Sequence, residues 1–187
     1  MQIRHAQKLA WAKKLAKGFN TTDVPLEGVT FAEIAEAFTA WRDGGEGLGG
    51  ELADTAIFLV CLAEMTRHDL DAEVRRHLAS DADGSVAQIS DAQALACSKR
   101  LAIEPGTGAV SLAFGELTSG LGTAFIAWRR GEPSVGTALA TAFTALTVLA
   151  GITGRDLDAE IERKLAINAR RAYSAGPNGI LVKASDA

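Results

Sequence analysis

Four carboxylates fall in two short pairs, Glu33-x-x-Glu36 and, after fourteen intervening residues, Glu51-x-x-Asp54. Residues three apart on a helix share a face, so each pair points one way if its segment is helical. Two antiparallel helices facing one another would then gather all four carboxylates. Such a cluster is costly unless cations neutralise it, and the donor set suits Mg²⁺, with Mn²⁺ as the alternative. Mg²⁺ takes oxygen ligands, retains waters and bridges substrate phosphates. The competing reading is a solvated acidic face. Against it, Glu51 and Asp54 lie in a mainly apolar stretch, where an unpaired carboxylate is expensive. Far along the chain, Lys164, Asn168 and Arg171 follow one another at i, i+4 and i+7. On a helix they form one face able to meet phosphoryl oxygens with charge-assisted hydrogen bonds.

The elements that must position these groups read as helices. Residues 3–17 carry a stripe of Ile3, Ala6, Leu9, Ala10, Lys13 and Ala16, ended by Gly18. A loop containing Pro25 is expected from Asn20 to Gly28, then a second helix from Thr30, as its cap, to Arg42. After the Gly-rich turn 44–50 a third runs from about Glu51 to Thr66. A fourth begins at Asp69, has Asp71 to Ala82 as its body and stops at Asp83-Gly84. Strand-marking β-branched runs are missing, which predicts an all-α fold.

The same helices occur twice. Residues 31–84 set against 118–171, without a gap, are identical at 22 of 54 positions, including Ala40-Trp41-Arg42 with Ala127-Trp128-Arg129. The first helix recurs at an offset of 86, where Ala6-Gln7, Leu9-Ala10 and Lys13 reappear as Ala92-Gln93, Leu95-Ala96 and Lys99. The chain is therefore read as a tandem duplication. One unit spans 1–85, a degenerate second unit 86–174 and a tail 175–187. Units this small gain core by packing together as the subunits of a dimer would. The tail begins as a turn, and its apolar triplet Ile180-Leu181-Val182 is expected to tuck against the bundle.

The two units differ where chemistry would sit. Glu33, Glu36, Glu51 and Asp54 become Gly120, Thr123, Ala138 and Thr141, whereas His77, Asp81 and Gly84 become Lys164, Asn168 and Arg171. Residues 31–84 carry four basic and twelve acidic side chains, a net of -8; residues 118–171 carry seven and five, a net of +2. Opposite charge on two packed units predicts one shared site, acidic on one wall and basic on the other, for a polyphosphate. A decayed second unit with a merely solvated basic face is the bland alternative.

Composition bounds the rest. The chain has 187 residues, 48% of them hydrophobic, and a net charge of -4, which excludes a disordered polar chain and gives no reason to invoke nucleic acid. Two cysteines, Cys61 and Cys97, make neither a disulfide framework nor a thiolate zinc site, and Cys61 reads as core. No apolar run of the ~18 residues a membrane span needs is expected, nor a targeting segment, so a cytoplasmic protein without a membrane partner is predicted.

The spacing of the carboxylates, with EIAEAFTAWR at 33–42 and GGELADTAIFL at 49–59, resembles the MazG-like family of the all-α nucleoside triphosphate pyrophosphatases. Lys164-x-x-x-Asn168-x-x-Arg171 looks like that family's later basic segment, and Trp11 to Phe19 like its opening. The likeness covers nearly the whole chain, once in each unit. It implies that Glu33, Glu36, Glu51 and Asp54 ligate Mg²⁺ and that NTP and water give NMP and pyrophosphate. It also implies assembly, so a homodimer of this chain would be a pseudo-tetramer. In the expected mechanism Glu33 or Glu36 orients or deprotonates the water, Lys164 and Arg171 offset phosphoryl charge, and Asn168 positions a phosphate or sugar oxygen. Trp11 and Phe19 are candidates to stack on a base; Trp41 and Trp128, present in both units, read as core. The chain departs from the family in having one acidic set for two units. Two other readings stand beside this one: a non-catalytic nucleotide- or partner-binding module, and a phosphoribosyl-ATP pyrophosphohydrolase with the same metal logic.

Overall fold

The computed structural model describes residues 1–19, 23–78, 88–103, 107–175 and 181–183. Among them are eight helices: α1 (Ile3–Ala16), α2 (Asp23–Arg42), α3 (Leu48–Met65), α4 (Leu70–Leu78), α5 (Ile89–Ile103), α6 (Thr107–Arg129), α7 (Val135–Ile152) and α8 (Leu157–Arg170). The fold is all-α up to Arg170. Beyond it the expectation of no strands needs correction, because Tyr173–Ala175 (β1) pairs antiparallel with Leu181–Lys183 (β2). The two strands flank the Gly-Pro-Asn-Gly stretch that read as a turn. That stretch and Ile180 lie outside the described residues, as do Asp81 and the expected helix stop at Asp83-Gly84.

α2 begins at Asp23 rather than Thr30. Pro25 and Gly28 read as loop residues, yet a proline in the first helical turn removes an N–H that has no helical partner in any case. Thr30 is thus a buried interior residue and not a cap. The buried stripe of α1 also runs one residue aside of the expected one, through Ile3, Ala6, Gln7, Ala10 and Lys14. Lys13 faces a neighbouring helix instead.

The core is built on α3 and α7, the third helices of the two repeats. Nearly every residue from Leu48 to Ala63 is buried, and the same holds from Val135 to Ala150. Leu52, Leu59, Leu139, Leu146 and Leu149 are among the fully enclosed side chains, each contributing about 1.5–3 kcal/mol over an exposed position. Contrary to the sequence expectation, α7 is an eighteen-residue helix without a charged side chain, and Gly108–Arg129 also passes by length and composition for a membrane span. α7 is 72% buried among the other helices, as a central core helix must be.

Packing follows a pseudo-two-fold. α2 lies on α3 as α6 lies on α7, α1 on α3 as α5 on α7, and α3 meets α7 at the centre. The fourth helices cross over: α4 packs on α7 and α8 packs on α3. Two glycines admit the crossing. A Cβ at Gly49 would stand 2.5 Å from Glu160 Oε1, and one at Gly136, its repeat partner, 2.8 Å from the Glu73 carboxyl carbon. Polar contacts repeat in the same way. Gln7 Oε1 accepts from the Leu70 amide and Gln93 Oε1 from the Leu157 amide, so each holds the start of its own unit's fourth helix. Lys13 donates to the Leu165 carbonyl and Lys99 to the Leu78 carbonyl, each tying a first helix to the other unit's fourth.

Candidate metal centre

α3 brings in two carboxylates. It starts after a turn in which Gly47 has φ 76°, a left-handed value that glycine adopts without strain. Glu51 sits in the helix's first turn, where free N–H groups favour an anion. Asp54 lies one turn on and is 9% exposed. α2, packed on α3, supplies Glu33, half-buried, and Glu36, exposed. Carboxylate oxygens of Glu33, Glu36 and Glu51 all come within 4.8 Å of one another. Ligands about 2.1 Å from one Mg²⁺ stand at most about 4.2 Å apart, so the trio lies near the span that a shared ion needs. The three glutamates can therefore hold a divalent cation.

Asp54 lies outside this trio. Its Oδ2 is 2.5 Å from Nζ of Lys164, with only 12% and 10% of the two side chains exposed. The crossing of α8 onto α3 thus carries a lysine of the second unit to the acidic wall of the first. Gly50 lies beneath it, where a Cβ would stand 3.7 Å from Lys164 Nζ and 3.7 Å from Arg163 Nη2. α8 is fastened there by Lys13 on the Leu165 carbonyl, 3.1 Å, and Lys17 on the Arg171 carbonyl, 2.7 Å.

The charges act on one another. Burial first, then the carboxylates of Asp54, Glu36 and Glu51, push the Glu33 carboxyl up to about 7 against the pull of Lys164. Burial also raises the Glu51 carboxyl, although Lys164 opposes it. Lys14 on α1 is a third cation nearby. Burial holds its ammonium below the usual lysine range, against the influence of Cys61, Glu33 and Asp54, and its Nζ lies 3.5 Å from the centre of the Phe58 ring.

The other residues singled out from the sequence fall in different surroundings. Arg171 is not on a helical face with Lys164 and Asn168. It is the first extended residue after α8, and its Nη1 donates to Asn168 Oδ1 at 3.0 Å. Phe19 stands edge-on to Tyr173 of β1 with ring centres 4.8 Å apart. Trp11 is partly buried against the core, and so are Trp41 and Trp128. Cys61 is buried, and burial lifts its thiol to about 12. Sequence reasoning missed Lys14 and Tyr173. Burial raises the Tyr173 hydroxyl, with Arg171, Asp54 and Lys164 acting on it as well, but it is the chain's single tyrosine and has no tyrosine at a repeat position to draw attention to it. Lys14 carried one signal, a lysine at i+4 from Ala10 on a stripe whose other members are Ile3, Ala6 and Gln7.

Compared with protein-family models, with curated proteins and with solved structures, the chain finds no match. The site's chemistry must therefore be argued from its own geometry: three glutamates able to hold a divalent cation, a buried Asp–Lys pair beside them, and an aromatic and basic edge. That is the equipment of a metal-dependent hydrolytic site in general form.

Proposed function

We propose that the chain is a Mg²⁺-dependent nucleoside triphosphate pyrophosphohydrolase of the MazG-like kind, with one composite site per chain. It would convert an NTP or dNTP and water into the NMP or dNMP and pyrophosphate. The observation that carries this reading is the Asp54–Lys164 pair, which joins the acidic face of one unit to the basic face of the other. Among the described residues Glu33, Glu36 and Glu51 are the ones that meet as ligands, and Asp54 is the fourth carboxylate of the set. When bound, the ion supplies a Lewis acid for phosphoryl oxygens and lowers the pKa of a coordinated water. Oxygens of Glu33 and Glu36 not engaged with the ion accept from the attacking water and orient it. Lys164 has three N–H bonds and uses one on Asp54, so the others can meet the developing charge on the phosphates. Arg171 and Asn168 continue that cationic and polar edge, and Phe19 and Trp11 are the rings we assign to stack on a base.

The test is product analysis on a panel of canonical and modified NTPs and dNTPs, with phosphoribosyl-ATP included. The expected result is NMP and pyrophosphate in equal amounts, dependent on Mg²⁺ and weakened by K164A. Release of NDP and inorganic phosphate, or no turnover of any panel member, would sink the proposal.

A further inference from the structure

We infer that this site takes one divalent cation per chain, and that the Lys164 ammonium permanently fills the place beside Asp54 that a second ion would need. The inference rests on Glu33, Glu36 and Glu51 being metal ligands, as proposed above. Two-metal sites hold their ions about 3.5–4 Å apart and need carboxylates enough to ligate both. Here three glutamates converge within 4.8 Å and can share a first ion. Asp54 is the carboxylate left over, and its Oδ2 is taken by an ammonium at 2.5 Å. That ammonium is not a solvated side chain that has strayed inward. It is almost enclosed, it lies over the backbone of α3 at Gly50, and its helix is tied down by Lys13 and Lys17 from α1. A buried carboxylate needs a cation, and here the second unit supplies one covalently. The repeat partner of Lys164 is His77, which is exposed on α4, so the device belongs to one unit alone.

The experiment is Mn²⁺ titration of the full chain without nucleotide, following free Mn²⁺ by its electron paramagnetic resonance and bound Mn²⁺ by calorimetry. The wild type should bind one Mn²⁺. Lys164→Met should bind two, because Asp54 is released, while Lys164→Arg should stay at one. Adding Asp54→Asn to Lys164→Met should return the count to one. Two ions in the wild type, or one in Lys164→Met, overturns the inference and leaves the metal-site reading standing. No Mn²⁺ bound by the wild type overturns the metal-site reading itself. Should Lys164→Met fail to fold by circular dichroism, Asp54→Asn alone decides: it should still bind one Mn²⁺ with unchanged affinity, and weakened or lost binding would show that Asp54 ligates the ion and overturn the inference.

Discussion

The helix pairs α2–α3 and α6–α7 descend from one pattern and have been put to different uses. In the first pair Glu33 projects a full side chain from α2 toward α3's carboxylates. At its repeat position, Gly120, even a Cβ would lie 2.9 Å from the Ala142 backbone nitrogen. α6 and α7 have closed on each other where α2 and α3 leave room. The absence of the four carboxylates and the close approach of α6 to α7 therefore go together at this position. The fourth helix of the second unit, in turn, carries the lysine that the first unit lacks.

The largest expected effect sets one unit against the other. Glu51→Ala should cut Mg²⁺-dependent turnover by about 10²–10³-fold or more, the scale of losing a preorganised electrostatic contact. Thr141→Ala, at the repeat position of Asp54, should leave turnover within about twofold, because that hydroxyl only donates back to the Thr137 carbonyl. Steady-state assays on both variants check this, and equal losses would break the assignment of chemistry to the first unit.

Next comes an attempt to restore the lost site. Gly120→Glu should destabilise the chain by about 1–3 kcal/mol from overpacking alone, with more for the buried carboxylate. At about 2–4 °C per kcal/mol for a chain of this size, thermal melting reads it directly. A melting temperature at or above the wild type would show that α6 and α7 are not in fact closed at this point.

Much of this asymmetry could be read from the sequence, for definite reasons. Helical spacing put Glu33 with Glu36 and Glu51 with Asp54, and the offset of 87 showed all four missing from the second unit. What escaped were features decided between elements. Gly49 and Gly136 are identical at the repeat offset, but only the crossing of α8 and α4 shows that Glu160 and Glu73 lie against them, where a Cβ would push those side chains aside. Pro25 looked like a breaker because a proline's tolerance depends on which turn of the helix it occupies. Asp54 looked equivalent to the three glutamates because spacing says nothing of the lysine that arrives from 110 residues further along the chain.

A smaller effect is a pH dependence that Glu33 gives the first unit. The Glu33 carboxyl is raised from 4.5 to about 7 in the folded chain. A carboxyl with a raised folded pKa contributes stability that is complete below its unfolded value and is lost as pH rises through the folded one. The melting temperature of the metal-free protein should therefore carry a downward component between pH 4.5 and 7, which Glu33→Gln removes. Mg²⁺ should restore stability most at the upper end, where the proton no longer competes for the site. An identical profile in Glu33→Gln would contradict the electrostatic picture of the cluster.

The finest difference concerns the two glutamines. Gln7 is 3% exposed, and besides accepting from the Leu70 amide it donates to both Glu64, 2.8 Å, and the His68 carbonyl, 2.9 Å. Gln93 is only half-buried and makes two such bonds, to the Leu157 amide at 3.0 Å and the Arg155 carbonyl at 2.6 Å. Each starts a fourth helix, and a net hydrogen bond is worth about 0.5–1.5 kcal/mol, more where a buried partner is left unsatisfied. Gln7→Ala should thus cost more than Gln93→Ala by about 1 kcal/mol in denaturant unfolding. Equal costs would mean that the helix starts, common to both units, dominate. The larger loss at Gln7 would show that the first unit depends more on polar bonds at its helix junction, where Gln7 makes one more bond than Gln93 and is the more buried.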